Sequence, residues 1–396
     1  MRVGGLPRSV VLLALTSLFG DVSSEMLYPV LPLFITRELA APASVVGVIE
    51  GVAQATQNIV QAGSGWLADR LGRNKPVALT GYALAALAKP TIGLATVWPH
   101  VLAGRFVDRL GTGIRSAPRD ALIAGAVDQS RRGAAFGLEG VGDNLGAVLG
   151  PLLAAALLYV LVVPLRSMFF IAFIPGTIAF LLVVLVRETP RPAGARPDRL
   201  GLRALPSEYW RYLAAVAVFG VGNLSSAFAI LRATDLGLPT EQTLLVYAAY
   251  NLVAALVSYP IGRLSDRFGR RRLLLAAFIV LALSFGGFAI ASTGVAVALL
   301  FLLYGVYQGA FRSLGKALAV DLAPDTLRGS AVGLFGTVVG LAALVAGTVG
   351  GQLWDRAGPG AAFAYGAAFA ILGAALLAAV LPGQRTPTID VGGPDS

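Results

Sequence analysis

The sequence predicts an all-α integral membrane protein of twelve transmembrane helices in two six-helix bundles. Three observations carry this. Of 396 residues, 56% are hydrophobic and 13% charged, against about 25% charged residues in a soluble domain; the mean hydropathy is +0.76. The apolar residues gather in runs that reach the roughly 20 residues needed to cross a bilayer. The chain also repeats itself across its midpoint. The runs are continuous rather than alternating, which argues against a β-barrel, and 48 glycines suit closely packed membrane helices.

The first run, residues 10–35, holds Asp21 and Glu25 one turn apart and therefore on one face. It is too long and too charged for a cleavable leader and reads as a permanent helix. The second, 44–64, carries Glu50, Gln54, Gln57 and Asn58; the third, 76–97, carries Lys89. The sole histidine, His100, falls in the next loop, without visible partners for a metal. The fourth run, 101–123, has six charges: Arg105, Asp108, Arg109, Arg115, Arg119 and Asp120. At about 100° per residue they cover an arc of about 140°. A helix with one charged wall lines a protein interior or a watery path. The fifth run, 134–159, holds Glu139 and Asp143, again one turn apart, and the sixth, 167–186, closes the first half. Residues 187–208 are rich in Pro and Arg and read as a cytoplasmic linker. The remaining runs lie near 211–231, 241–261, 273–292, 295–318, 330–353 and 361–382; the tenth keeps two bases, Arg312 and Lys316. The expected organisation is a bundle over 1–187, a linker over 188–207, a second bundle over 208–384 and a flexible tail over 385–396.

Net charge is +10, but its placement argues against nucleic acid as a partner. With both ends cytoplasmic, nineteen loop Lys and Arg lie inside, against Arg37, Arg166, Arg232 and Arg356 outside. That is the positive-inside bias, and it predicts a multi-pass protein of the cytoplasmic (inner) membrane. The chain has no cysteine, so disulfides and thiolate metal sites are excluded. It has no GxxxxGK[ST] phosphate loop, so ATP is not the expected fuel. No nucleophile, metal cluster or soluble domain supports an enzyme or a sensor. No cofactor and no metal are expected, and the expected state is a monomer in the lipid bilayer.

The halves share landmarks. Gly65-Trp-Leu-Ala-Asp69-Arg70-Leu-Gly72-Arg73 follows span two, and Gly262-Arg-Leu-Ser-Asp266-Arg267-Phe-Gly269-Arg270 follows span eight, 197 positions later. Arg132-Gly-Ala-Ala-Phe-Gly-Leu138 opens span five, and Arg328-Gly-Ser-Ala-Val-Gly-Leu334 opens span eleven, 196 positions later. Parallel repeats suggest two bundles that rock about a central site. On these motifs the chain resembles the major facilitator superfamily over essentially its full length. The resemblance implies transport by alternating access, with helices one, four, seven and ten lining the path. The runs DVSSEMLYP and GTGIRSAPRDAL look like a poorly characterised prokaryotic branch of it. In family terms the duplicated loop signature is a latch for the outward-facing state. Gly65 and Gly72 permit close approach and a tight turn; Asp69 can accept from a helix N-terminus; Arg70 and Arg73 can pair with Asp120 or Asp128. Gly262, Asp266, Arg267, Gly269 and Arg270 are the second copy. Gly146 and Gly150-Pro151 partly resemble a glycine–proline motif of superfamily antiporters, with Leu152-Leu153 where a glycine pair usually stands.

Seven acids face five bases within the first half, so most must pair. At offset 196, Arg105, Asp108, Arg109 and Arg115 map to Phe301, Tyr304, Gly305 and Phe311, while Glu139 and Asp143 map to Phe335 and Val339. The fold can be built without these charges, which points them toward the transport cycle. Asp21 and Glu25 are the candidate proton carriers, the alternative for Asp21 being a fixed ion pair. Arg109 and Arg115, with Arg312 and Lys316 at a nearby depth, are candidates for solute binding or gating, since an Arg fork suits planar anions. Glu50, Lys89, Arg105, Asp108, Glu139 and Asp143 are expected ion-pair partners, and Arg119 and Asp120 belong with the latch. The expected function is proton-driven transport of a small organic solute, by antiport and outward. Uptake or exchange of an organic anion through the arginines of spans four and ten is the alternative.

Overall fold

In the computed structural model, residues 6–188, 204–324 and 327–381 are described, apart from the side chains of Trp66 and Asp69. The first half contains α1 (Arg8–Glu25), α2 (Val30–Leu33), α3 (Ala43–Leu71), α4 (Asn74–Gly93), α5 (Trp98–Gly125), α6 (Arg132–Val160) and α7 (Leu165–Leu185). The second contains α8 (Ser207–Gly222), α9 (Ser226–Asp235), α10 (Thr240–Phe268), α11 (Arg270–Ile290), α12 (Gly294–Asp321), α13 (Arg328–Ala357) and α14 (Pro359–Val380). These make twelve spans. Among the described residues, nine spans are long and apolar enough to cross a membrane unaided; α3, α4 and α5 are not among them. Most of the predicted linker and the predicted tail lie outside the described residues.

The structure corrects three local readings. Spans one and seven are each broken in mid-course rather than continuous. α1 stops at Glu25, and the chain passes Pro29 and Pro32, which have no N–H to give a helix, through α2 into a π-helical turn at Phe34–Glu38. α8 stops at Gly222 and the helix resumes at Ser226. Aligned through Phe19-Gly20 and Phe219-Gly220, the two breaks fall about one helical turn apart. The duplicated signature is also not a loop. Gly65–Arg70 and Gly262–Arg267 form the last turns of α3 and α10, and only Gly72 (φ 63°) and Gly269 (φ 85°) turn the chain. Those left-handed conformations call for glycine. Finally, His100 stands in the first turn of α5 rather than in a loop.

Within the first half α4 packs on α5 and α7, and α1 packs on α6 and α7; in the second, α11 packs on α12 and α14, and α8 on α13 and α14. The halves meet along two seams, α3 with α13 and α6 with α10. At the first seam the backbones of Gly47 and Gly347 touch, leaving no room for a Cβ on either. The seams close at the face opposite the signature turns, where Arg37 also donates to Thr240 at 2.7 Å across the halves. Toward the signature turns the contact between the halves thins, although at the first seam a Cβ on Gly333 would still meet Ala62 at 3.4 Å. A Cβ added at Gly133, Gly137, Gly140, Gly329 or Gly336 would meet nothing within 4 Å.

Candidate functional site

Three groups of charge line the first half. In the first, Arg105 is 4% exposed and lies 3.1 Å from Glu50 and 2.9 Å from Asp108. Lys89 reaches Asp108 at 3.6 Å and Arg109 reaches it at 3.3 Å; Arg109 also donates to Gln57 at 3.0 Å. A buried ion is tolerated only with such partners. Glu50, Lys89, Arg105 and Asp108 are brought together here in one set of ion pairs. Arg109, a candidate for solute, has its charge met inside this cluster.

The second group is the centre of the site. Two neighbouring carboxyls are costly to ionise together, and Asp21 on α1 and Asp143 on α6 stand in such a close approach. Gly146 makes it sterically possible, because a Cβ there would lie 2.7 Å from the Asp21 Cβ. Sequence pairing rules expect Asp143 to seek an arginine; the structure brings it to another acid. Arg115 is buried and stacks on Tyr82 with its guanidinium carbon 4.4 Å from the ring centroid. It has no ion pair or hydrogen bond among the described residues, and its Nε is unpartnered. Across the cleft, Arg312 of α12 is exposed and feels Asp143, Tyr250, Glu25 and Asp21. Lys316 follows one turn later and is also exposed. Neither has an ion pair among the described residues.

The third group lies toward the signature face. Arg119 contacts Glu139 and Asp120, each at 3.0 Å, and Ser17 donates to Glu139 at 2.8 Å. Asp120, offered as a partner for Arg70 or Arg73, is thus engaged by Arg119 within its own helix. The anticipated contact between a signature arginine and the end of a path helix occurs in the second copy. There Arg270 pairs with Asp321, the last residue of α12, at 2.8 Å and with Asp266 at 3.9 Å. The Asp69 side chain lies outside the described residues.

Glu25 has a different environment from Asp21. It accepts from Tyr247 at 2.9 Å and from Asn251 at 3.5 Å, both on α10, and Asn251 also donates to the Ala147 carbonyl at 2.9 Å. Tyr28 stacks on Tyr247 with centroids 5.5 Å apart. These contacts join the halves above the cleft. Tyr247 and Asn251 were not singled out from sequence, although the repeat held the signal: at offset 197 they are the counterparts of Glu50 and Gln54. The wall opposite α5 is aromatic. Tyr250, Tyr304, Tyr307 and Phe311 follow one another at 5.2, 5.9 and 5.6 Å, with Tyr304 and Phe311 at the repeat positions of Asp108 and Arg115. Tyr304 and Asn223 tie this wall to the break in span seven, through the Leu224 carbonyl at 3.1 Å and the Tyr307 hydroxyl at 2.9 Å.

The family model described as Major Facilitator Superfamily matches residues 13–217 and 212–393. The chain is 33% identical over 379 residues to an uncharacterised MFS-type transporter of Methanocaldococcus jannaschii, covering 94% of each. It is 26% identical to multidrug resistance protein MdtH of Salmonella paratyphi B, covering 83% of this chain and 82% of that one. The fold is similar to that of nucleoside transporter NupG, with a TM-score of 0.80 at 14% identity, covering 95% of this chain and 100% of the other.

Proposed function

The chain belongs to the Major Facilitator Superfamily, whose members are membrane transporters, and from that premise we propose that it is a proton-driven exporter of a small organic solute, working by antiport. The observation that carries this reading is the Asp21–Asp143 carboxyl pair facing Arg312 of the other half. A proton on the pair relieves the repulsion between the two carboxyls; its loss leaves both ionised, and Arg312 can offset the added charge best if the halves approach at the cleft, so proton occupancy biases the rocking. With both termini cytoplasmic, the structure is the inward-facing state, and the protein acts as a monomer of the cytoplasmic membrane. The name of the MdtH relative supports the outward direction. Asp21→Asn and Glu25→Gln should each lower pH-gradient-driven flux in vesicles by about ten-fold, or about 1.4 kcal/mol at the barrier. Unchanged flux in both removes the coupling role.

A second reading, uptake or exchange of an organic anion, is supported by the exposed pair Arg312 and Lys316. On this reading Arg312→Ala abolishes binding of carboxylate or phosphate solutes and spares neutral ones. Retained anion binding in the Arg312→Ala, Lys316→Ala double variant would rule it out. Arg115, stacked on Tyr82 without an ion pair, is then the residue that gains a partner as Asp21 becomes charged.

A further inference from the structure

We propose that Asp355 is the gate residue of the face opposite the signature turns, and that residues 351–358 are a third, unduplicated copy of the signature. The segment reads Gly351-Gln-Leu-Trp-Asp355-Arg356-Ala-Gly358. Glycine, leucine, aspartate, arginine and glycine recur at the same positions as in Gly65–Gly72 and Gly262–Gly269. The local structure recurs too. Each copy forms the last turns of a long helix and ends on a glycine of positive φ: 63° at Gly72, 85° at Gly269 and 87° at Gly358. The third copy is not a product of the half duplication. Asp355 follows Asp266 by 89 positions rather than about 196, and it lies at the other face of the protein.

What Asp355 touches sets it apart. Its two carboxylate oxygens accept from the backbone N–H groups of Ala43 and Ser44, each at 3.1 Å. These are the first amides of α3, which have no partner within their own helix. A carboxylate there acts as an N-cap supplied in trans and meets the positive end of the helix dipole. The bond crosses from the second half to the first. Gly351 makes the approach possible, since a Cβ on it would run into Ser44. The second copy is in the opposite condition. The Asp266 side chain is 70% exposed and its ion-pair contact is Arg270 of its own half, at 3.9 Å. So the third copy is engaged across the halves at the closed face, while the Asp266 ion pair of the second copy stays within its own half. Asp355 thereby stabilises the state shown here and must release α3 when this face opens. The inference rests on rocking of the halves, and on neither the solute nor the coupling ion.

The chain has no cysteine, so spin labels on introduced cysteines report only the chosen positions. Leu161→Cys and Val295→Cys place labels on exposed residues of the two halves at the gated face, 65% and 73% exposed. Gly137→Cys and Phe268→Cys do so at the signature face. In distance measurements on the full chain, Asp355→Ala should raise the ratio of open to closed gated face about five-fold, the size of an average N-cap. The signature-face distance should shorten in step, and Asp355→Glu should restore both distributions. Ala43→Pro tests the same bond from the other side. It removes one donor at a position where proline suits a helix start, and it should shift the populations in the same direction. If both distributions are unchanged in Asp355→Ala and in Ala43→Pro, the proposal fails, even where the melting temperature falls, because that is the signature of a cap that serves folding alone. Loss of flux with unchanged distributions also overturns it. Shifted distributions with normal coupling support it whatever becomes of the proton scheme.

Discussion

Asp108 is met by Arg105, Arg109 and Lys89 at once. Removing it leaves Lys89 and Arg109 without a carboxylate and Arg105 with Glu50 alone in a water-poor interior, and breaking a buried pair costs about 3–5 kcal/mol. Asp108→Ala should therefore lower the denaturation midpoint sharply. Glu50→Gln should do so less, because Arg105 keeps Asp108. At this scale the sequence was legible as a rule and not as a pairing. That acids and bases in the first half must neutralise one another follows from the cost of burial. That Glu139 goes to Arg119 while Asp143 goes to Asp21 does not follow. The two acids stand one turn apart on α6, and small differences in helix rotation and depth decide which neighbour each meets. The Glu25–Tyr247 bond joins residues 222 positions apart; only knowledge of how the halves dock reveals it.

The helices explain what the residues alone do not. Runs of apolar residues located all twelve spans, because a bilayer demands length of each and hydropathy of most; α3, α4 and α5 fall short of it and offset their charges by pairing. The breaks after Glu25 and after Gly222 were missed because a break costs a few residues of helix and leaves composition nearly untouched. Only Pro29 and Pro32 hinted at the first. The α3–α13 seam was missed for a related reason. Gly47 and Gly347 read as generic membrane-helix glycines until the backbones are seen in contact. This gives a prediction for the element. Gly47→Val forces an extra side chain into the seam, at an overpacking cost of about 1–3 kcal/mol borne by the closed state. A Gly140→Cys reporter faces open space on the signature side, and its labelling by an impermeant thiol reagent should fall when Gly47→Val is added. Unaltered labelling would mean that the seam does not govern which face is open.

The whole molecule is lopsided. Its first half carries buried charge; its second half answers with Phe301, Tyr304 and Phe311 at the same repeat positions. The repeat exposed this contrast from sequence alone, and the structure turns it into a polar wall facing an aromatic one. The contrast also bears on how the chain enters the bilayer as it is made. A lone helix with six charges is a poor substrate for insertion, since a central Arg or Asp costs about 2.5–3.5 kcal/mol, and α5 is not among the spans apolar enough to cross unaided. Its partners for Arg105 and Asp108 are Glu50 on α3 and Lys89 on α4, both synthesised before it. α3, α4 and α5 should thus enter the lipid as one ion-paired hairpin-plus-helix unit. Glycosylation mapping in microsomes should find α5 alone excluded from the membrane and the α3–α5 segment inserted, with Lys89→Ala and Glu50→Ala together returning α5 to the aqueous side. Chain order is then itself part of the design of the ion cluster: the counter-charges are already waiting when the charged helix leaves the ribosome.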